Sequence, residues 1–421
     1  MSVTARILVV DRNSDRAAGL ADRLSRHGYS SIISGSGRDA VPLAMSGGTD
    51  IVLIGPDSAD QASLISDALR QRRGSLPMVV LDDAQAVVAA ADDNNTELFD
   101  RLRSLTRLNT MQDELARRTR TAERFGIYLQ ELPRPPDEIQ DAQVLLIGGE
   151  RSEHEAVTAA LRGIASTMPL TNAYAAMQKL NDGGFDVVVV ALDEAQAIEF
   201  CRDVRHNSRL YNLPLLALTS GPTPDLFTSG ATEVIRRPWQ GQPFGERVLA
   251  LIRHQRYREA LQRLYKQTRG AATADTITSL YNHAFLLDHL SSQVVAARRA
   301  NRPLTVACID IYDMKGINLA YGYAAGDRLL RQVGRLLANL VRAEDLAARH
   351  AGATFYVAMP DTTPNEASSA LRRIASVITR TTFTLTEANA PVSVFLKLGV
   401  VGAEANDTAE TLVQRAAAAI A

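Results

Sequence analysis

Short, uninterrupted aliphatic runs alternate with amphipathic stretches along the chain up to Tyr265. Ile7-Leu8-Val9-Val10 is answered further along by Val144-Leu145-Leu146-Ile147. Asp50-Ile51-Val52-Leu53-Ile54 is answered at nearly the same offset by Asp186-Val187-Val188-Val189-Val190, and Leu76 to Leu81 by Leu213 to Leu218. Runs this short and this apolar fit parallel strands buried on both faces. Helical patterns lie between them, as at Arg16 to Arg26 and Glu153 to Ile164. The alternation predicts two tandem copies of one doubly wound α/β domain. The stretch from Leu81 to Phe99 is clearly shorter than its counterpart in the second copy, from Leu218 to Phe244. The first copy is therefore expected to lack about one helix between its fourth strand and its last helix. Each copy closes in a long amphipathic helix, Leu98 to Phe125 and Phe244 to Tyr265, expected to offer apolar surface to a partner. Leu132-Pro133-Arg134-Pro135-Pro136 reads as a stiff linker, and Gly270 to Ala274 as a second hinge.

Beyond residue 270 the pattern changes to that of an α+β domain. Leu304 to Ile311 reads as a buried strand, Asp327 to Leu340 as an amphipathic helix, and Leu346 to His350 with Thr354 to Met359 as a β-hairpin around Ala351-Gly352. A helix (Asn365 to Ile378), a strand (Val392 to Val401) and a terminal helix (Thr408 to Ile420) follow. The expected domains are 1–128, 140–268 and 270–421.

Composition narrows the function. Lys+Arg is 46 and Asp+Glu is 47, a net charge of −1. That balance argues against nucleic acid or an anionic membrane as partner, since both need a basic excess. No run of about 18 apolar residues suggests membrane insertion. The opening Met1 to Arg6 lacks a signal-peptide layout, and Cys201 and Cys308 fall on different elements, as a cytoplasmic chain without a metal cluster would have them.

The tandem halves resemble response-regulator receiver domains, of flavodoxin-like fold. That resemblance implies an acidic pair binding Mg²⁺, a phosphoacceptor Asp, a switch Thr/Ser and a Lys-Pro pair. In the second copy these positions hold Gly148-Gly149, Ala191, Thr219 and Arg237-Pro238. In the first they hold Asp11-Arg12, Gly55 and Asp82, with no recognisable Lys-Pro pair. The phosphoacceptor positions, Gly55 and Ala191, carry no carboxylate, so docking or dimerisation is expected in place of phosphotransfer. Asp57, two residues past Gly55, reads as a solvated loop aspartate rather than a displaced acceptor.

The last segment resembles GGDEF domains, the diguanylate cyclases, of nucleotidyl-cyclase-like fold. Asp275 to His283 is similar to the family's D-x-L-T-x-L-x-N-R, departing at Ile277 and His283. Ile309 to Asn318 is similar to I-D-I-D-x-F-K-x-I-N, and Tyr321-Gly322 with Gly326-Asp327 continues the pattern. Four motifs in order make the match specific. It puts Ala351-Gly352-Ala353-Thr354-Phe355 at the signature G-G-(D/E)-E-F. The resemblance implies a vestigial active site of Asp310, Asn318, Asp327, Ala353 and Thr354, in which one carboxylate is asked to hold two metal ions. No catalytic residues, no bound metal, no cofactor and no enzymatic activity are expected on that basis. The family's inhibitory R-x-x-D, which binds cyclic di-GMP, is matched in its expected slot by Arg342-Ala343-Glu344-Asp345, with Arg373 at the place of a second arginine. Arg can offer a planar fork to guanine O6 and N7, and Asp can accept from its Watson–Crick edge.

Two receivers followed by a cyclase domain is the architecture of a known diguanylate cyclase, and the departures at the signature are more similar to a non-catalytic effector of the same build. The resemblance implies a homodimeric, cyclic di-GMP-binding scaffold in the cytoplasm at a cell pole. Its partners would be proteolytic adaptor proteins or cell-cycle regulators. Two alternatives stand beside it: a residual diguanylate cyclase, and a structural scaffold that binds no nucleotide.

Overall fold

The structure, a computed structural model, describes residues 5–46, 48–69, 76–81, 97–129, 131–136, 138–207, 209–221, 224–386, 388 and 390–420. It divides into two compact units. One comprises Ala5–Asn109 and Pro133–Ala260; the other comprises the described residues of Thr110–Leu132 and Leu261–Ala421.

The first unit holds two parallel sheets. β1 (Arg6–Val10), β2 (Ser30–Ser34), β3 (Ile51–Ile54) and β4 (Met78–Val80) run in the order β2-β1-β3-β4. β5 (Ala142–Gly148), β6 (Ala165–Leu170), β7 (Val187–Ala191), β8 (Leu215–Thr219) and β9 (Glu233–Arg236) run in the order β6-β5-β7-β8-β9. This is the doubly wound, flavodoxin-like order, with the reversal beside the first strand of each copy. The runs in β3, β7 and β8 are buried on both faces, whereas β4, last in its sheet's order, leaves Val80 exposed. The repeat extends to single bonds: the Asp50 carboxylate accepts the Arg6 N–H at 2.7 Å, and Asp186 accepts the Gln143 N–H at 2.9 Å. Helices α1 (Ser14–Arg26), α2 (Gly37–Met45) and α3 (Ala62–Leu69) cover the first sheet. The segment expected to be shortened, and the switch position Asp82, lie outside the described residues.

α4 (Glu97–Arg124) is the first long helix. α5 (Arg151–Ala160) ends short of the expected Ile164, because Gly163 takes φ of +80° and the chain turns into β6. α6 (Ala173–Asp182), α7 (Glu194–His206), α8 (Pro224–Thr228) and the long α9 (Gly241–Gln267) complete the series. The apolar stripes of α4 and α9 do not face outward. Leu98, Leu102 and Leu105 are buried in one core cluster and Val248, Leu251 and Ile252 in another, and Leu108, Met111, Leu261 and Leu264 are buried as well. That corrects the expectation that these helices offer a dimer surface.

The second unit carries an antiparallel sheet in the order β11-β12-β10-β13. Its strands are β10 (Leu304–Ile311), β11 (Leu346–Ala351), β12 (Thr354–Pro360) and β13 (Leu396–Gly402). The strand period of two divides β10 between two cores. Ala307, Ile309 and Ile311 pack beneath α12 (Tyr323–Leu340) and α13 (Pro364–Arg380). Val306 and Cys308 pack beneath α10 (His283–Ala300) and α14 (Ala409–Ala418). α11 (Met314–Tyr321) lies between β10 and α12, with Gly322 at φ +84° breaking the helix between them. α13 starts with Pro364 behind a Thr363–Glu366 capping box, worth about 1 kcal/mol. The chain is thus α/β and α+β in series, as its periodicity predicts.

Candidate functional site

The hairpin between β11 and β12 places the signature positions at one end of the sheet. Thr354 pairs directly with Asp310 across the β10–β12 ladder, and its hydroxyl donates to the Asp310 carboxylate at 2.8 Å. Gly352, at φ +57°, makes the turn. Arg349, which sequence reasoning missed, locks that turn. Its Nε and Nη2 donate to the Gly352 carbonyl at 3.0 and 2.7 Å, and its Nη1 lies 3.2 Å from both oxygens of Asp275. Burial alone would raise the Asp275 carboxyl, but bonds from Thr278 and Arg349 hold it below its usual range. The signal for Arg349 was Asp275 itself, a motif carboxylate in need of a cation.

Asn318 projects from α11 toward α12. Its Oδ1 is buried without a hydrogen-bond partner among the described residues, and a Cβ added at Gly326 would lie 2.0 Å from it. Any larger residue there would have to displace the Asn318 amide. Asp327 is partly exposed in the second turn of α12, since that helix begins at Tyr323, ahead of the expected start.

Arg342 to Asp345 forms the turn between α12 and β11. The Asp345 N–H donates to the Arg342 carbonyl at 3.2 Å, and Asp345 Oδ2 accepts the Arg342 N–H at 3.0 Å. Asp345 and Glu344 are buried, while Arg342 is exposed and forms no ion pair among the described residues. The turn thus holds its aspartate inward and leaves a guanidinium outward. Arg373 lies on the exposed face of α13, and no hydrogen bond among the described residues joins it to the turn.

The receiver positions are filled by internal ion pairs. In the first copy Arg16 donates from Nε and Nη2 to the two Asp11 oxygens, 2.6 Å each, and from Nη2 to Asp57 at 2.7 Å. A Cβ on Gly55 would lie 2.2 Å from the Asp11 carboxylate, which occupies the room an acceptor side chain would need. In the second copy Arg237 donates to both Glu153 oxygens at 2.7 and 2.9 Å. A Cβ on Gly149 would meet Glu153 at 2.7 Å, and Ala191 lies beneath as a buried methyl. Neither copy fits the Mg²⁺ of the family it resembles.

The hairpin does not fit a pair of cations either. Asp310 supplies one carboxylate, Ala353 supplies none, and no group of three His, Cys, Asp or Glu converges among the described residues. Cys201 and Cys308 are buried free thiols, each pushed up to about 11 by burial. No helix of the described residues is long and apolar enough to cross a membrane.

With this geometry in place, comparison with known proteins defines the class. Residues 272–421 match the family described as "Diguanylate cyclase, GGDEF domain", and form such a domain. The chain as a whole is similar to the response regulator PleD of Caulobacter vibrioides, 28% identical over 440 residues that cover 98% of this chain and 96% of PleD. The diguanylate cyclase DgcP of Pseudomonas aeruginosa is 30% identical over 148 residues, 35% of this chain and 22% of that protein. The solved GGDEF domain of DgcB from Caulobacter crescentus, in complex with c-di-GMP, is 22% identical over 36% of this chain and 86% of that chain, with a TM-score of 0.34.

These matches correct one expectation. Ala353 and Thr354 in place of acids suggest no enzyme. The matched family is an enzymatic one, and the match runs through the whole domain from residue 272 to 421. The match holds although Ala353 and Thr354 carry no carboxylate.

Proposed function

We propose that this protein is a cyclic di-GMP-responsive GGDEF-domain signalling protein that binds the dinucleotide at the Arg342–Asp345 turn. The observation that carries the reading is the division of labour in that turn. Asp345 is held by the turn's own N–H, while the Arg342 guanidinium has no ion pair among the described residues. An uncommitted guanidinium beside a fixed carboxylate suits guanine, which offers O6 and N7 on one edge and N–H donors on the other. Arg373 adds a second guanidinium from α13. Occupancy of the turn is the input. The output is recruitment of protein partners by a homodimer. Delivery of cell-cycle regulators to proteolytic adaptors at a cell pole belongs to the same proposal and rests on the architectural resemblance alone.

Calorimetric titration of the full chain with cyclic di-GMP tests the reading. Arg342→Ala should weaken binding about tenfold or more, since one bidentate guanine contact is worth about 1–3 kcal/mol. Arg373→Ala should weaken it less. Equal affinity of Arg342→Ala and the parent overturns the site assignment.

A further inference from the structure

The second half of α4, from Thr110 to Arg124, belongs to the same compact unit as the GGDEF domain and brings buried charge to it. Glu114, Arg118, His289 and Gln293 are all buried. The Glu114 carboxylate contacts His289 Nε2 and accepts from Gln293 at 2.9 Å, from Arg118 at 3.2 Å and from Arg117 at 2.5 Å. Thr121 Oγ1 lies 3.1 Å from the other ring nitrogen of His289. The Arg118 guanidinium sits 4.6 Å from the Tyr265 ring centroid and 5.5 Å from that of Tyr281.

Arg118 does more than balance Glu114. Its Nη2 donates to the Glu344 carbonyl at 2.8 Å, and its Nη1 reaches the Ala343 carbonyl at 3.4 Å. Ala343 and Glu344 are the two middle residues of the Arg342–Asp345 turn. A buried guanidinium is costly unless paired and hydrogen-bonded, so this one has little freedom to move. A fixed donor fork behind two consecutive carbonyls fixes the peptide planes between them. Those planes set the direction in which Arg342 and Asp345 leave the backbone.

We propose that Arg118 is a positioning residue of the dinucleotide site, holding the Arg342–Asp345 turn from α4 and coupling its ligand affinity to the seating of that helix. The inference rests on reading the turn as the cyclic di-GMP site. Coupling of this kind is reciprocal: whatever Arg118 adds to ligand affinity, the ligand adds to the seating of α4. The helix that begins in the unit of the receiver domains is thereby informed of ligand occupancy.

The test uses the full chain, cyclic di-GMP by calorimetry, and amide hydrogen exchange over 110–124 and 342–345. Arg118→Lys keeps the charge beside Glu114 and loses the fork. It should bind about tenfold more weakly, with faster exchange in the ligand-free 342–345 turn and a far-ultraviolet circular dichroism spectrum like the parent's. In the parent, ligand should slow exchange over 110–124. A role confined to stability would lower the melting temperature and leave the affinity of the folded protein unchanged. Arg118→Ala should exceed the Lys variant in effect; if it fails to fold, the Lys variant and the parent's exchange decide. Arg342→Ala serves as the reference. If it binds like the parent, the reading of the site falls. If it binds weakly while folded Arg118→Lys binds like the parent, the site stands and the positioning role is overturned. Unchanged exchange over 110–124 on ligand addition to the parent overturns the coupling.

Discussion

Arg16 lays its guanidinium against both oxygens of Asp11, at 2.6 Å each, and reaches Asp57 at 2.7 Å with the same Nη2 that bonds Asp11. A side-chain cation thus stands where a receiver would place its divalent one. Asp11 is buried, so its charge must be neutralised in place, and a tethered guanidinium does that without competing with hydration. The first receiver should therefore ignore Mg²⁺ and beryllofluoride. Arg16→Ala should free Asp11 and Asp57, and Mg²⁺ should then raise its melting temperature, an effect absent from Arg16→Ala/Asp11→Asn. A rise that survives loss of Asp11 shows that the cation binds elsewhere.

Thr354 and Asp310 make the same point in the GGDEF domain. The Thr354 hydroxyl occupies one Asp310 oxygen, and Ala353 beside it has no donor. Ala353→Asp with Thr354→Glu restores carboxylates next to Asp310, which is what a hard cation needs. Mn²⁺ affinity should rise about tenfold, and synthesis of cyclic di-GMP from GTP should rise above the parent's rate. Calorimetry and chromatography of the product measure the two. Unchanged Mn²⁺ affinity would mean that Asp310 is not a metal-facing carboxylate.

What the sequence revealed depended on whether the information was local. The strand runs around Val9, Leu53 and Val189 are short and wholly apolar, and a period is legible without knowing the fold. Motif order likewise put Asp310 and Thr354 in one site, and the β10–β12 register places them opposite one another. Helix ends were less legible. α5 stops at Ala160 because Gly163 adopts a left-handed conformation, a choice made by β6 pairing with β5. The long helices misled for a related reason. A stripe such as Leu98, Leu102 and Leu105 reports that a face is buried, not what buries it. Charged pairs distant in sequence were not legible at all. Arg349 with Asp275, and Arg118 with the carbonyl of Glu344, are far apart along the chain and meet only in the fold.

With the long helices buried, apolar surface for self-association must come from elsewhere. Ile32 and Ile33 lie on β2, an edge strand of the first sheet, and are 41% and 46% exposed. Adjacent exposed isoleucines on an edge are a liability that a second copy would cover. Sedimentation at micromolar concentration should report a dimer, and Ile32→Lys with Ile33→Lys should shift it to monomer without lowering the melting temperature of the monomer. A parent that sediments as monomer with and without cyclic di-GMP counts against the dimer, and a dimer untouched by the lysines counts against this edge.

Acid should weaken the fold in two stages, because buried histidines and a buried carboxylate respond over different ranges. Burial, reinforced by Arg258, Arg101 and Arg253, pulls His254 down to about 4. Burial also lowers His289, although Glu114 opposes it. Both rings stay neutral in the folded chain while their unfolded counterparts take up protons near pH 6.5. The unfolded state then binds more protons, so stability falls as pH drops from about 6.5 toward 4. Glu114 acts lower. Burial alone would raise its carboxyl, but His289, Arg118 and Arg117 hold it well below its ordinary 4.5. Its contribution is complete above that ordinary value and is lost as pH falls beneath it. The melting temperature at pH 5 should be lower than at pH 7 by on the order of 5 °C. His254→Gln should flatten the first stage. Glu114→Gln should destabilise the chain at neutral pH, where it leaves Arg118 without its carboxylate, and should remove the stage below 4.5. A melting temperature level between pH 7 and 5 would mean that both histidines titrate normally in the folded protein. An acid stage unchanged in Glu114→Gln would assign it to other carboxylates.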